Sequence, residues 1–88
     1  MENDPMPLFL DIHKHVTGLT KEAVTGAHAA DLKVQEKHNV NYKQYWYNEK
    51  SGDVYCLVEA PSKEAAIAVH REAHGLIADE LIEVVEGT

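Results

Sequence analysis

Val40-Asn-Tyr-Lys-Gln-Tyr-Trp-Tyr47, Asn48-Glu-Lys-Ser-Gly-Asp53 and Val54-Tyr-Cys-Leu-Val-Glu-Ala60 run together through the middle of the chain. The first part has the aromatic content of a strand, the second is rich in turn formers, and in the third Val54, Cys56 and Val58 alternate with bulkier or polar residues. Strand, tight turn and strand predict a β-hairpin. Working outward, each side of this hairpin carries one helix and one further strand. Upstream, Leu8-Phe-Leu-Asp-Ile-His-Lys-His15 alternates with period two, placing Leu8, Leu10 and Ile12 on one face and Phe9, Asp11, His13 and His15 on the other. Val16 to Leu19 makes a turn, Thr20 is an N-cap, and an alanine-rich helix runs from Lys21 to about Lys37, where Asn39 breaks it. Ala23, Ala27, Ala30 and Val34 are its expected inner face, flanked by Val24, His28, Asp31 and Leu32. Downstream, Ser62 caps a helix that Gly75 ends, and Leu81-Ile-Glu-Val-Val85 is a final strand.

The order βαββαβ predicts an α+β, ferredoxin-like fold, a four-stranded antiparallel sheet with two helices on one face. Those helices cover one sheet face only. The other is expected to expose Tyr and Trp side chains of the second strand, which predicts a homodimer.

With 88 residues, 44% of them apolar and 26% charged, the chain is expected to form a single globular domain over 1–88, with 1–7 as an irregular lead-in. No apolar run approaches the ~20 residues of a membrane span, and the acidic start lacks the features of a signal peptide, so a cytoplasmic location is expected. Cys56 is the only cysteine, which excludes an internal disulfide and reads as a buried, inert thiol. Eight basic against fifteen acidic residues give a formal charge of −7, which disfavours nucleic acid and attracts cations.

Six histidines are the chemical signal: His13, His15, His28, His38, His70 and His74. Any one of them alone is an ordinary surface or helix-end histidine; together they point to a metal, since imidazole suits zinc, copper, iron and nickel. His70 and His74 are one helical turn apart and share a helix face. Asp11 and His13 share a strand face, as a ligand pair or a ligand with its orienting group. The topology brings the end of the first strand near the end of the second helix, and His28 reaches inward from the first helix with Asp31 nearby. The expected metal ligands are therefore His13, His70, His74, His28 and Asp11, with neither His70 nor His74 needed to fill the core. His15 and His38 read as solvated. Glu72 points away from both helical histidines, so the string is not a zinc-protease motif.

No nucleophile elbow, phosphate loop or dinucleotide fingerprint is present in the sequence, which favours a non-catalytic divalent-metal protein. The competing expectation is a small dimeric αβ-barrel enzyme, monooxygenase- or isomerase-like. It would use one histidine as acid or base in a closed apolar pocket, with Tyr42, Tyr45 or Tyr55 positioning the substrate.

Several stretches also resemble a known family: Leu10-Asp-Ile-His13, Ala27-His-Ala-Ala-Asp-Leu32, Tyr45-Trp-Tyr47, Cys56-Leu-Val-Glu-Ala-Pro61, Val69-His-Arg-Glu-Ala-His-Gly-Leu76 and Glu80-Leu-Ile-Glu-Val84. Together they resemble small bacterial nickel-binding proteins over nearly the whole chain. The resemblance implies a ferredoxin-like fold, dimerisation into an αβ-barrel, and nickel as the first metal, with zinc or copper as alternatives. Storage, buffering or sensing is the implied role.

Overall fold

The computed structural model describes residues 6–87. Strands β1 (Leu8–His13), β2 (Asn41–Asn48), β3 (Asp53–Glu59) and β4 (Glu80–Val84) form one sheet in the order β2-β3-β1-β4, every neighbouring pair antiparallel. Helices α1 (Lys21–Val34) and α2 (Lys63–Ala73) complete the βαββαβ order. This is the ferredoxin-like arrangement expected from the sequence. Of the predicted lead-in, residues 1–5 lie outside the described residues, and Met6 and Pro7 have no regular structure.

Both predicted caps are formed. Thr20 Oγ1 accepts from the Ala23 amide at 3.1 Å, and Ser62 Oγ accepts from the Ala65 amide at 3.2 Å. After α1 the chain tightens into a 3-10 turn at Gln35–His38, which Asn39 ends in the left-handed conformation (φ 58°). β1 stops two residues before the expected His15, because His15 itself takes φ 53° and turns the chain away from the sheet.

The core lies between the sheet and the helices. Phe9, Val54, Cys56, Val58 and Ala60 from the sheet side meet Val24, Ala66 and Val69 from the helices. The inner face of α1 differs from the expected one: Ala23 is exposed, while Val24 and Asp31 are buried and Ala27, His28 and Val34 half-buried. Turning the helix this way buries a valine in place of an alanine, a larger apolar gain, and aims Asp31 inward.

A β-bulge decides the two faces of β2. Tyr42 pairs with Val58 and Gln44 with Leu57, so Lys43 is the extra residue and the alternation resets there. Residues opposite one another point to the same face. Tyr45 opposite Cys56 and Tyr47 opposite Val54 therefore join Tyr42 on the helix side. This corrects the expectation that the second strand's tyrosines line the uncovered face. Of its aromatic residues only Trp46 does so, opposite Tyr55 of β3 and 47% exposed.

Candidate metal centre

Phe9, Asp11 and His13 of β1 face the helices, as the burial of Phe9 in the core requires. The pairing of Asp11 with Cys56 brings a carboxylate and a thiol side by side on that face. α2 lays His70 over them from above, in the turn after Ala66 and beside Val69, and α1 adds Asp31. These elements assemble a chain of alternating imidazoles and carboxylates. His13 Nε2 lies 2.6 Å from Asp11 Oδ1, and Asp11 Oδ2 lies 2.9 Å from His70 Nε2. His70 Nδ1 is hydrogen-bonded to Asp31 Oδ1 at 2.8 Å, and Asp31 Oδ1 is 3.1 Å from His74 Nε2. Asp11, His13, Asp31 and His70 are all buried. The Tyr42 ring stacks on His70 with centroids 4.5 Å apart. Its hydroxyl lies 3.1 Å from Asp11 Oδ2 and 3.2 Å from the Ala66 carbonyl, and its single proton serves one at a time.

Burial acts on every member of this chain, and pairing decides which effect wins. For Asp11, burial pushes the carboxyl up, but the His13 and His70 imidazoles outweigh it and hold the pKa down to about 2. For His70, burial pushes down, but Asp11 and Asp31 flank both ring nitrogens and raise the pKa to about 11. Asp31 is lowered in the same way by His70 and His74 against its own burial. Burial raises the Cys56 thiol. Burial and the Asp11 charge keep the Tyr42 hydroxyl protonated.

Two donor groups result. Asp11, His13, Cys56 and His70 each offer one ligand atom, all within 4.8 Å of one another, and Asp31, His70 and His74 form a second such group. The two are not equivalent. His70 Nδ1 is committed to Asp31 by a directed hydrogen bond, whereas among the described residues His70 Nε2 and Asp11 Oδ1 are the buried side-chain polar atoms with no hydrogen-bond partner. Their neighbours lie at ion-pair distance but off the direction a hydrogen bond requires. Both atoms belong to the first group, so its donors fit a bound cation.

The structure thus brings together Asp11, His13, His70 and His74 of the expected ligands. His28 lines a cavity together with His13, Asp31, His70 and His74 but belongs to neither donor group; its ring lies against Tyr45, centroids 4.6 Å apart. His74 sits at the C-cap of α2, outside the helix proper, and is half-buried. His70 corrects the expectation that neither helical imidazole fills the core, since it is among the largest fully buried side chains. His38, expected in solvent, is instead half-buried and pairs with Glu72 at 2.9 Å; Lys37 pairs with the same carboxylate, and neither belongs to a donor group. Sequence reasoning passed over Asp31 as a principal member and did not place Cys56 beside Asp11, although its reading of Cys56 as a buried thiol holds. The signal for Cys56 was its register opposite Asp11, which only strand pairing reveals.

The fold and this buried chain define a class: a ferredoxin-like domain with a candidate metal centre between sheet and helices. A family model described as "Nickel responsive protein SCO4226-like" matches residues 9–84, and the chain belongs to that family. It is similar to the crystal structure of SCO4226 from Streptomyces coelicolor A3(2), with 42% identity, 92% of this chain and 99% of that one covered, and a TM-score of 0.85. No curated protein matches the chain.

Proposed function

We propose that the protein binds one divalent metal ion per chain, nickel first and zinc or copper as alternatives, without catalysing a reaction on it. The observation that carries this reading is the buried four-residue donor group, in which His70 Nε2 and Asp11 Oδ1 have ion-pair neighbours but no directed hydrogen bond. His70, Asp11, His13 and Cys56 are the proposed ligands. Two imidazole nitrogens, a carboxylate and a thiolate balance a double positive charge and suit nickel, copper or zinc. Asp31 is the orienting partner: it accepts from His70 Nδ1 and so leaves the Nε2 lone pair for the ion. His74 Nε2 meets the same Asp31 oxygen, Oδ1, and helps to hold it in place. Nickel comes first because of the family's description. Holding the ion as a store, buffer or sensor is the proposed role. The competing enzyme reading called for one histidine in a closed apolar pocket, whereas His13, His28, His70 and His74 all line this cavity.

The proposed assembly is a homodimer that buries the uncovered sheet face, where exposed Trp46 and Ile82 surround the half-buried Leu10, Tyr55 and Leu57. The metal reading is tested by native mass spectrometry and calorimetry on chelator-stripped protein titrated with nickel, zinc and copper. About one ion per chain is expected. No heat and no bound mass with any of the three rejects it.

A further inference from the structure

Above the buried histidines the structure leaves a cavity of about 150 Å³ between α1, β3 and the Val16–Leu19 turn. Its walls are largely apolar, with Leu19, Val24, Ala27 and Val54 among them, and its mouth lies at exposed Thr17, Gly18 and Leu76. His28 and Tyr45 set two rings side by side on one wall, centroids 4.6 Å apart. The floor is polar, formed by His13, Asp31, His70 and His74.

We propose that this cavity binds one small neutral heteroaromatic molecule with a five- or six-membered ring, its face on the apolar walls and its polar edge toward the histidines and Asp31. Size sets the first limit: an apolar cavity of about 150 Å³ accommodates benzene, whereas pockets for drug-sized ligands begin at about 300 Å³. Charge sets the second. Both carboxylates of the centre are already engaged by imidazoles, Asp11 by His13 and His70, Asp31 by His70 and His74. An anion would have to enter between apolar walls and face the Asp31 carboxylate at the floor, which disfavours an acidic ring such as benzoate. The polar floor sets the third, because a ring nitrogen can hydrogen-bond to the imidazoles and the Asp31 edge that line it, which an all-carbon ring cannot do. The inference goes beyond the metal reading and does not need the ion in place.

The test titrates metal-stripped full-length protein with pyrazole, benzene and benzoate, followed by amide chemical shifts. Pyrazole is expected to bind saturably with about millimolar affinity, the range open to a ligand of a few heavy atoms. Shifts are expected at Gly18, Val24 and Ala27, with intermolecular nuclear Overhauser effects to the Val24 methyls in the unmodified protein. Ala27→Phe, which fills the cavity, is expected to weaken binding at least tenfold, and benzoate is expected not to bind. The proposal is overturned by non-saturating shifts, by shifts confined to the Trp46 and Ile82 face, or by benzoate or benzene binding as tightly as pyrazole. The nuclear Overhauser contacts decide the matter even if Ala27→Phe does not fold. Metal stoichiometry is read separately by mass, so a failure of either reading leaves the other standing.

Discussion

His70 meets a carboxylate at each ring nitrogen while almost fully buried, and that single fact makes proton and metal competitors. Without metal, the imidazole is held charged. Its pKa rises from 6.5 to about 11, so its stabilising contribution is complete below 6.5 and is lost as pH climbs toward 11. Asp11 works in the opposite sense. Lowered from 3.8 to about 2, it contributes fully above 3.8 and its contribution fades as pH falls toward 2. Metal-free protein is therefore predicted to be most stable between these limits. Thermal unfolding of stripped protein should show an alkaline decline beginning above 6.5, and a flat alkaline limb would show that His70 is not held charged. Nickel affinity must run the other way and rise with pH, because the ion displaces the His70 and Cys56 protons. Asp31→Asn removes the charge that orients His70 and is predicted to weaken nickel binding by about 10–100-fold in calorimetry. His38→Ala, which removes a side chain paired with Glu72 and outside both donor groups, should leave binding unchanged; an equal loss in both variants would reject the ligand assignment.

At the scale of elements, much of the site was legible because period-two and helical spacings are geometric. Asp11 and His13 lie on one strand face, and His70 lies on the inner face of α2, for reasons that the sequence pattern carries by itself. What was not legible depends on a second element. Nothing around Lys43 announces the β-bulge that turns Tyr45 and Tyr47 toward the helices, and no glycine marks it. The rotation of α1 that buries Asp31 was hidden by the choice among several small residues for its inner face. The β2–β3 turn has its own signature. Gly52 takes φ 81°, and a Cβ there would meet the Val16 backbone nitrogen at 3.0 Å. The Gly52 carbonyl also accepts from the Val16 amide at 2.9 Å, which pins the β2–β3 turn to the segment that follows β1. Gly52→Ala is thus predicted to destabilise the fold by about 1–3 kcal/mol, read from denaturant unfolding, whereas Gly26→Ala, in open space within α1, should be neutral or stabilising. Equal effects at the two glycines would contradict this account of the turn.

For the whole molecule, the sheet is covered on one face and largely apolar on the other. Ile12 is buried there by its own neighbours, but Trp46 and Ile82 remain 47% and 44% exposed. A second copy related by two-fold symmetry would present the same apolar strip to the first, which is the basis of the proposed dimer. Light scattering at micromolar concentration is predicted to give twice the chain mass, and Trp46→Glu to give the monomer. A monomeric mass for the unmodified protein would remove the dimer from the account. The metal centre lies on the opposite side of the sheet, between β1, β3 and both helices. Trp46→Glu should therefore separate assembly from metal binding, leaving nickel stoichiometry unchanged.

The central claim concerns where the ion sits, and anomalous diffraction at the nickel edge from nickel-soaked crystals tests it most directly. The account predicts one strong peak per chain, buried among His70 Nε2, Asp11, His13 and Cys56, at about 2.0–2.1 Å from the imidazole nitrogen as for other first-row ions. Peaks at histidines outside the donor group, such as exposed His15 or half-buried His38, with none beside His70, would contradict it.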